Sequence, residues 1–185
     1  LSRYPILKKE QVKYKSAGNI SFAYLINYNN QEVLVVNNHF ESNHLSEADK
    51  QGYKDMVRAP FEGSTTKTGS ERILDKLGRA AITRAPQVDA VAAYVKKHLD
   101  RKIPVILCGD FNDTPISYAR RRIQGQLRDA YVESGKGVGI SYNGNMFWFR
   151  IDHILHSPNM TAYRATVDRV KLSDHYPVWC YLKPD

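Results

Sequence analysis

The sequence has 185 residues, of which 42% are hydrophobic and 25% are charged, and its 27 Lys and Arg outnumber its 19 Asp and Glu to give a net charge of +8. These values are typical of globular proteins, and they exclude intrinsic disorder, collagen-like repeats and a disulfide scaffold. The length predicts one domain over residues 1–185. No stretch approaches the ~18 to 20 consecutive apolar residues of a membrane span.

The basic charge favours a polyanionic partner such as nucleic acid or phosphate, because a positive field raises the local concentration of anions. A solvated face of Lys and Arg explains the same charge without any partner. The charge alone does not separate these two interpretations, and the composition does not indicate a cellular location.

Apolar runs rich in β-branched and aromatic residues predict the strands of a sheet. They are residues 20–28, 33–40, 103–108, 147–155 and 178–182. Between the second and third runs, apolar residues from Val88 to Leu99 follow the spacing of an amphipathic helix, and Pro86 suits the start of that helix. Because strands and helices interleave, the predicted class is α/β or α+β.

A shorter helix is predicted from Ser117 to about Gln124, because a turn signal precedes it. The arginine run 120–122 would lie on or near its exposed side, where it favours nucleic acid. Two polar, glycine-containing stretches, 62–70 and 134–145, are predicted to be loops. Such loops can flank a site, although most loops are connections without a role.

Polar and ionisable residues stand at the ends of apolar strands in four segments, a costly position unless these groups are paired, bound to metal or solvated in a cleft. The residues are Asn37 and His39 after the second run, Asp110 and Asn112 after the third, Asp152 inside the fourth, and Asp174 and His175 just before the fifth. Side chains alternate along a strand, so Asn37 and His39 share one side. The clustering of such residues at strand ends predicts a site.

Each of these segments also has an interpretation without chemistry. A lone histidine such as His39 is more often structural, and Asp110 and Asn112 are good turn formers before a Thr-Pro pair. Asp152 interrupts an apolar strand, where an unpaired carboxylate would be costly. A partner for Asp152 is therefore predicted.

Asp174 and His175 can serve one site only if their segment is a loop or a strand entry, which Pro177 supports because proline cannot donate to a ladder.

Together the four segments supply carboxylates, amides and imidazoles that suit metal-assisted attack of water on a phosphate ester. A hard oxygen ligand such as Asp174 suits Mg²⁺ or Mn²⁺, and a hydrogen bond between Asp152 and His175 would fix the tautomer of the imidazole. The sequence has no cysteine pair with zinc-ligand spacing and no serine-hydrolase or P-loop motif.

Three stretches occur in an order that resembles one known family: Gly-Asp-Phe-Asn at 109–112, Arg-Ile-Asp at 150–152 and Ser-Asp-His at 173–175. They are similar to signatures of the endonuclease/exonuclease/phosphatase superfamily, metal-dependent phosphoesterases that include pancreatic deoxyribonuclease, apurinic-site endonucleases, sphingomyelinases and inositol-polyphosphate phosphatases. The Asn-Asn-His run at 37–39 also resembles the N-x-H segment of this family. The resemblance implies a deoxyribonuclease-like four-layer α/β sandwich, in which two mixed β-sheets pack together, helices lie outside, and the site lies at one end of the sheets.

The resemblance also implies a role for each matched residue. The implied roles are His175 acting with water at the scissile phosphate, Asp152 orienting that histidine, Asp110 positioning or deprotonating the nucleophile, Asn112 contacting the phosphate or transition state, His39 contacting the phosphate or donating a proton, Asn37 contacting the substrate as a weaker match, and Asp174 binding Mg²⁺ or Mn²⁺. The substrate stays open between nucleic acid, phospholipid and sugar phosphate, because this fold hosts all three.

One departure from the family pattern concerns the start of the chain. The segment 1–6 resembles one that in full-length members follows a first Asn motif and a metal-binding Glu motif, and neither motif is present. The chain's candidate glutamates stand in other contexts, so we expect an incomplete metal shell and a chain that lacks the first part of the domain. These glutamates are Glu10, Glu32, Glu41 and Glu47. Removing strands from a sandwich uncovers apolar surface and a sheet edge, so we also expect self-association or an exposed apolar face.

Two other functions are compatible with the sequence. A polyanion-binding module of the same fold would have lost the chemistry, and it would depend on the arginine run 120–122 rather than on Asp110. A membrane-anchored phosphatase acting on lipid-linked phosphate would carry its anchor outside these residues.

Overall fold

The computed structural model describes residues 1–58, 65–144 and 147–185. Its strands are β1 Ile6–Val12, β2 Ser21–Tyr28, β3 Gln31–His39, β4 Val105–Asp110, β5 Arg128–Asp129, β6 Tyr142–Gly144, β7 Phe147–Phe149, β8 Asp152–His156, β9 Met160–Val167 and β10 Val178–Pro184. Its helices are α1 Glu47–Arg58, α2 Thr65–Asp100, α3 Tyr118–Gln124 and α4 Ala130–Ser134. None of the described helices combines the length and the apolar composition that crossing a membrane requires.

Six strands form one mixed sheet in the order β1-β2-β3-β4-β8-β5. β3 and β4 are parallel, and the other neighbours pair antiparallel. A parallel pair needs a long crossover, and α1 and α2 lie in the chain between these two strands. The crossover brings the ends of β3 and β4 to the same edge of the sheet, with His39 opposite Asp110.

The C-terminal half of α2 covers one face of this sheet. Val88, Val91 and Val95 of the helix belong to one buried cluster with Val36 of β3 and Leu107 of β4. The three valines follow the i, i+3, i+7 spacing of one helix face, as predicted, and the two strand residues are register partners. Burying a side chain of this kind contributes about 1.5–3 kcal/mol, so the core holds the strands that carry His39 and Asp110 firmly in place.

A second layer lies on the other side of β8. Successive residues of a strand face opposite sides, and in β8 Leu155 joins the helix-side core whereas Ile154 packs against Ala162 and Ala165 of β9. β9 and β10 form a two-stranded antiparallel sheet, and β6 and β7 form another. The α/β class expected from the sequence, with a mixed sheet and helices in layers, is confirmed.

The predicted amphipathic helix is much longer than its sequence pattern indicated. α2 begins at Thr65, so Pro86 lies inside the helix, and the predicted loop 62–70 is helical from 65 onward, whereas 62–64 fall outside the described residues. Proline in a helix interior removes one backbone hydrogen bond. Arg84 and Gln87, on either side of the proline, are buried and bonded to the loop after β3, and these contacts hold the helix together at this point.

Other elements differ from the sequence pattern in smaller ways. The apolar run 147–155 is broken at Arg150 and Ile151 into β7 and β8, and the predicted loop 134–145 contains β6, while its last residue lies outside the described residues. The pattern does not predict β1 or α1. β1 is almost wholly exposed and α1 is mostly polar, so neither carries the apolar periodicity that indicates an element.

The arginine run 120–122 is not a free basic face, contrary to the sequence-based expectation. Arg120 is buried and pairs with Asp129 at 2.5 Å, and Arg122 pairs with Asp89 at 2.6 Å. Arg150 approaches the same Asp129 at 3.1 Å. The buried Asp129 carboxylate needs cationic partners, and this requirement draws Arg120 into the protein.

Candidate active site

Three neighbouring strands bring together one histidine and two aspartates that the sequence analysis predicts to be site residues. His39 of β3 is the register partner of Asp110 of β4, and Asp110 is the register partner of Asp152 of β8. Register partners point to the same face of a sheet, and His39 Nε2 is 3.9 Å from Asp110 Oδ2. We call these three residues the strand-end row.

Gly109 allows β3 and β4 to meet beside the strand-end row. Its φ is +133°, and a Cβ at this position would lie 1.9 Å from the Asn38 carbonyl oxygen. The two strands can approach this closely only because residue 109 has no side chain. The close approach places the next residue, Asp110, beside His39.

His175 reaches the strand-end row from the segment before β10. Its Nδ1 atom is 2.8 Å from Asp152 Oδ2, and its Nε2 atom is 3.9 Å from Asp110 Oδ2. The ring packs edge-to-face against Tyr142, with 5.0 Å between the ring centres. The partner predicted for Asp152 is therefore His175, and the segment around Pro177 lies outside the regular strands, as expected.

Burial and neighbouring charges shift the pKa of two groups at this site. The pKa of Asp110 is raised, chiefly because burial disfavours its charged form and also because the Asp152 carboxylate is close. The pKa of His175 is raised because Asp152 accepts a hydrogen bond from the imidazole, which outweighs the effect of burial. The site thus contains a carboxylate that a positive charge would stabilise and an imidazole that readily holds a proton.

Buried hydrogen bonds fix the loops on both sides of the strand-end row. Arg84 of α2 is 2% exposed and donates three of them. Its acceptors are the Glu41 carbonyl oxygen at 2.9 Å, Asn43 Oδ1 at 2.6 Å and Asp113 Oδ2 at 2.6 Å. Gln87 Oε1 accepts from the Glu41 amide at 2.9 Å. The loop after β3 and the loop after β4 are therefore both tied to α2.

Asn112 and Asp174 flank the strand-end row. Asn112 Nδ2 donates to the Phe40 carbonyl oxygen at 2.9 Å, and its backbone amide donates to Asp110 Oδ1 at 2.7 Å. Asn112 therefore holds its loop in place as well as facing the cavity. Asp174 is exposed and lines the same cavity. The contacts expected of both residues with phosphate or metal stay predictions.

Asn37 lies apart from the other predicted site residues. It shares a strand face with His39, as alternation predicts, but it sits further into the sheet, opposite Cys108. It lines a separate cavity of about 340 Å³, together with Asp152. Asn37 is thus not a lining residue of the main cavity, and its contact with substrate stays a prediction.

The site opens into a cavity of about 690 Å³. His39, Asp110 and His175 line one part of it, and further walls come from the loop after β3, α1, α2, the loop before α3 and the β6–β7 pair. This volume lies within the roughly 300–1,000 Å³ range of small-molecule sites. The arrangement suits a bound molecule of moderate size with an ionic group at one end.

Residues 1–175 match a family model described as the Endonuclease/Exonuclease/phosphatase family. The chain belongs to this family. The resemblance drawn from the three sequence stretches is thereby confirmed. No curated protein matches the sequence.

Solved structures of this fold resemble the chain at low sequence identity. A mannosyl-6-phosphatase of Bacteroides thetaiotaomicron has a TM-score of 0.59 at 18% identity, over 97% of this chain and 67% of that one. The human nocturnin catalytic domain has a TM-score of 0.63 at 14% identity, over 99% and 61% of the two chains. A beta toxin of Staphylococcus aureus has a TM-score of 0.60 at 17% identity, over 97% of this chain and 65% of that one. This chain therefore spans between 61% and 67% of the length of these three structures, and they confirm its family fold.

The donor groups of this family member fit a divalent cation. One ligand atom each from Asp110, Asp152 and His175 lie within 4.8 Å of one another. Carboxylate oxygens are the donors that Mg²⁺ and Mn²⁺ take, and the raised pKa of Asp110 indicates that its negative charge lacks full compensation. Asp110 would hold the cation, and the exposed Asp174 is the further oxygen donor on the cavity wall. Among the described residues, no glutamate joins this group.

The sequence analysis missed Lys50 at this family member's cavity. Lys50 of α1 lines it, as does Tyr142, and donates to Glu47 at 2.9 Å. Lys50 has no sequence signal because it stands in a polar helix. Arg84, which also lines the cavity, and Gln87, which supports the loop after β3, do carry a sequence signal. Both are polar residues within the apolar stripe of α2, where burial requires partners.

Proposed function

We propose that the chain hydrolyses a phosphate ester by attack of water on phosphorus, with Mg²⁺ or Mn²⁺ bound. The observation that carries the proposal is the contact of His175 with Asp152 at 2.8 Å, beside Asp110 and in the wall of a cavity of about 690 Å³. Family membership supports the general class of reaction.

We assign separate tasks to the residues on the basis of their distances and hydrogen bonds. Asp152 orients the His175 imidazole and favours its protonated form, so His175 Nε2 can bind a phosphate oxygen. Nε2 and the Asp110 carboxylate are 3.9 Å apart, too far for a direct hydrogen bond, and both can therefore bind reacting atoms. We assign the Asp110 carboxylate to positioning the attacking water and accepting its proton.

The reaction balances without further reactants. The water oxygen bonds to phosphorus, the ester P–O bond breaks, and the leaving oxygen takes a proton, for which His39 is the candidate donor. A bound divalent cation would neutralise charge on the phosphate and polarise its P–O bonds.

Hydrolysis of p-nitrophenyl phosphate and bis(p-nitrophenyl) phosphate with Mn²⁺ tests this proposal. Asp110→Asn keeps the shape of the side chain but removes the proton acceptor, so we expect kcat to fall by about 100-fold or more. Asp100→Asn, which changes an exposed carboxylate at the end of α2, should retain activity. A folded wild-type chain that hydrolyses neither ester with saturating Mn²⁺ would contradict the proposal. The ratio of the two rates distinguishes a phosphomonoesterase from a phosphodiesterase.

A polyanion-binding module is the second candidate, and the net charge of +8 favours it. Two arginines of the run 120–122 are in ion pairs within the protein, which weakens this candidate. It predicts salt-dependent binding of duplex DNA that survives Asp110→Asn and falls with Arg121→Glu. The hydrolase predicts that Asp110→Asn abolishes turnover whatever the effect of Arg121→Glu.

A further inference from the structure

The cavity at the candidate site follows a helix that is too long for the sheet it covers. α2 has 36 residues and is about 54 Å long at ~1.5 Å per residue, whereas the nine-residue β3 is about 30 Å long. The C-terminal half of α2 packs on the sheet. Its N-terminal half therefore extends beyond the sheet, alongside the cavity.

The apolar face of α2 continues into this N-terminal half. Ile73, Leu77 and Ala81 follow one another at intervals of four residues, so they lie along one helix face, and all three line the cavity. The same face carries Val88 and Val91, which pack on the sheet. The apolar residues of the N-terminal half thus border the cavity instead of a strand.

α1 provides the opposite wall of this part of the cavity. It is held against α2 by the buried Asp49, which pairs with Arg72 at 2.9 Å and with Lys76. This ion-pair cluster makes the space between the two helices a defined part of the structure. We call the apolar part of that space the apolar arm, and its side chains are Leu45, Tyr53, Ile73, Leu77 and Ala81. Lys50 of α1 also lines the cavity, but its ammonium group is paired with Glu47 at 2.9 Å.

The apolar arm leads away from the strand-end row. Arg84 bonds to Asp113 beside the site, and Ile73 lies about three turns earlier on α2, which is about 16 Å along the helix axis. All arm side chains except Tyr53 lack a hydrogen-bonding group. A sugar or a nucleobase in the arm would lose its bonds to water without replacement, whereas an apolar group gains about 25 cal/mol per Å² on leaving water.

We infer that the substrate is the phosphate ester of an apolar alcohol, whose phosphate binds at the strand-end row and whose alkyl or aryl group fills the apolar arm. The inference rests on the proposed hydrolysis, and it identifies the leaving alcohol as the group that is recognised. Water adds its oxygen to phosphorus, the P–O bond breaks, and the apolar alcohol leaves with a proton. A free alkyl phosphate and a phosphatidic acid headgroup share this chemistry.

Turnover of matched esters tests the inference. With Mn²⁺ we expect kcat/KM for octyl phosphate to exceed that for glycerol 3-phosphate and adenosine 5′-monophosphate by about tenfold or more. Leu77→Asn should lower kcat/KM for octyl phosphate about tenfold more than for glycerol 3-phosphate, mainly through KM. The matched control is Leu74→Asn on the same helix, where the side chain is 67% exposed and does not line the cavity. Leu74→Asn should leave the ratio of kcat/KM for octyl phosphate to that for glycerol 3-phosphate as it is in the wild type.

Binding without turnover separates this inference from the proposed hydrolysis. Octylphosphonate and methylphosphonate have no ester bond, and calorimetric titration measures their affinity for the wild-type chain. Tighter binding of octylphosphonate supports the apolar arm even when no ester is hydrolysed, and it does not depend on any variant folding. Equal binding of the two phosphonates, or a preference for adenosine 5′-monophosphate in turnover, would overturn the inference while leaving the hydrolysis intact.

The two sources of such an ester are distinguished by a vesicle assay. Phosphatidylcholine vesicles that contain phosphatidic acid present the phosphate at a membrane surface. Phosphate release from these vesicles assigns a membrane lipid, and release from octyl phosphate alone assigns a free alkyl phosphate. Both results support an apolar leaving group, and release from neither, in a chain that hydrolyses glycerol 3-phosphate, contradicts it.

Discussion

At the scale of single residues, the strand-end row depends on the missing side chain of Gly109. A Cβ there would lie 1.9 Å from the Asn38 carbonyl oxygen at a φ of +133°, so β3 and β4 would have to separate. We expect Gly109→Ala to lower the free energy of unfolding by about 2 kcal/mol or more and to abolish turnover by displacing Asp110.

The chain offers a matched control for this substitution. Gly78 lies inside α2 with nothing within 4 Å of a built Cβ, so Gly78→Ala should raise the free energy of unfolding by about 0.5–1 kcal/mol. Urea unfolding followed by circular dichroism measures both variants. Similar small effects at the two positions would contradict the close contact at Gly109.

His153 predicts a loss of stability on the acid side. The side chain of His153 is 1% exposed, and its ring centre lies 4.9 Å from that of Phe111. Burial lowers the pKa of His153 to about 4. The unfolded chain binds a proton with a pKa of about 6.5, so the free energy of unfolding falls as the pH drops from about 6.5 to about 4, by about 3 kcal/mol. His153→Gln should flatten this slope. Urea unfolding at several pH values in this interval checks the prediction, and an unchanged slope would contradict it.

Single residues also mark how far the sequence predicts the site. Asp152 and His175 could be paired from the sequence because a carboxylate inside an apolar strand requires a partner, and the structure has them at 2.8 Å. The separation of Asn37 from the main cavity could not be predicted, because it depends on the register of β3 with β4. The bond from Asn112 to the Phe40 carbonyl likewise depends on how two loops meet.

At the scale of elements, α2 shows why helix ends are harder to predict than helix faces. Its C-terminal half has an apolar stripe that can be recognised from spacing alone. Its N-terminal turns contain Gly, Ser and Thr, which locally favour a loop. Contacts from α1 support this end of the helix, with Asp49 pairing with Arg72 and Lys76. These contacts are distant in sequence, so local composition does not reveal them.

Arg84 predicts that an element far from the reacting atoms controls the geometry of the site. Arg84→Lys cannot reproduce the three hydrogen bonds to two loops, so we expect the loops beside His39 and Asn112 to loosen and kcat/KM to fall about tenfold. Arg79→Lys, at an exposed ion pair with Asp75, should have little effect.

Two readouts distinguish positioning by Arg84 from a general loss of stability. Hydrogen exchange should become faster in the loop after β3 and in the loop after β4, while the amides of β9 and β10 keep their protection. Turnover of p-nitrophenyl phosphate gives the kinetic effect. Unchanged exchange in both loops together with unchanged turnover would contradict a positioning role.

At the scale of the whole molecule, the layered fold could be predicted because three short stretches resemble one family and the strand and helix patterns interleave. The relative extent of the layers could not be predicted. The helix-covered sheet has six strands, whereas β9 and β10 form a sheet of only two among the described residues. Strand order depends on pairings between segments that are distant in sequence, and these pairings cannot be derived from composition.

The edge of the six-stranded sheet predicts self-association in solution. β1 ends the strand order, and its Ile6 and Leu7 are 51% and 52% exposed. An unpaired edge that carries apolar side chains is a template for a second copy of the chain. We expect sedimentation velocity to show a dimer whose fraction rises with protein concentration. Ile6→Lys should weaken this dimer by placing a charge at the contact. Val132→Lys, at a 74% exposed position on α4, should leave the dimer unchanged, and a monomer at every concentration would contradict the prediction.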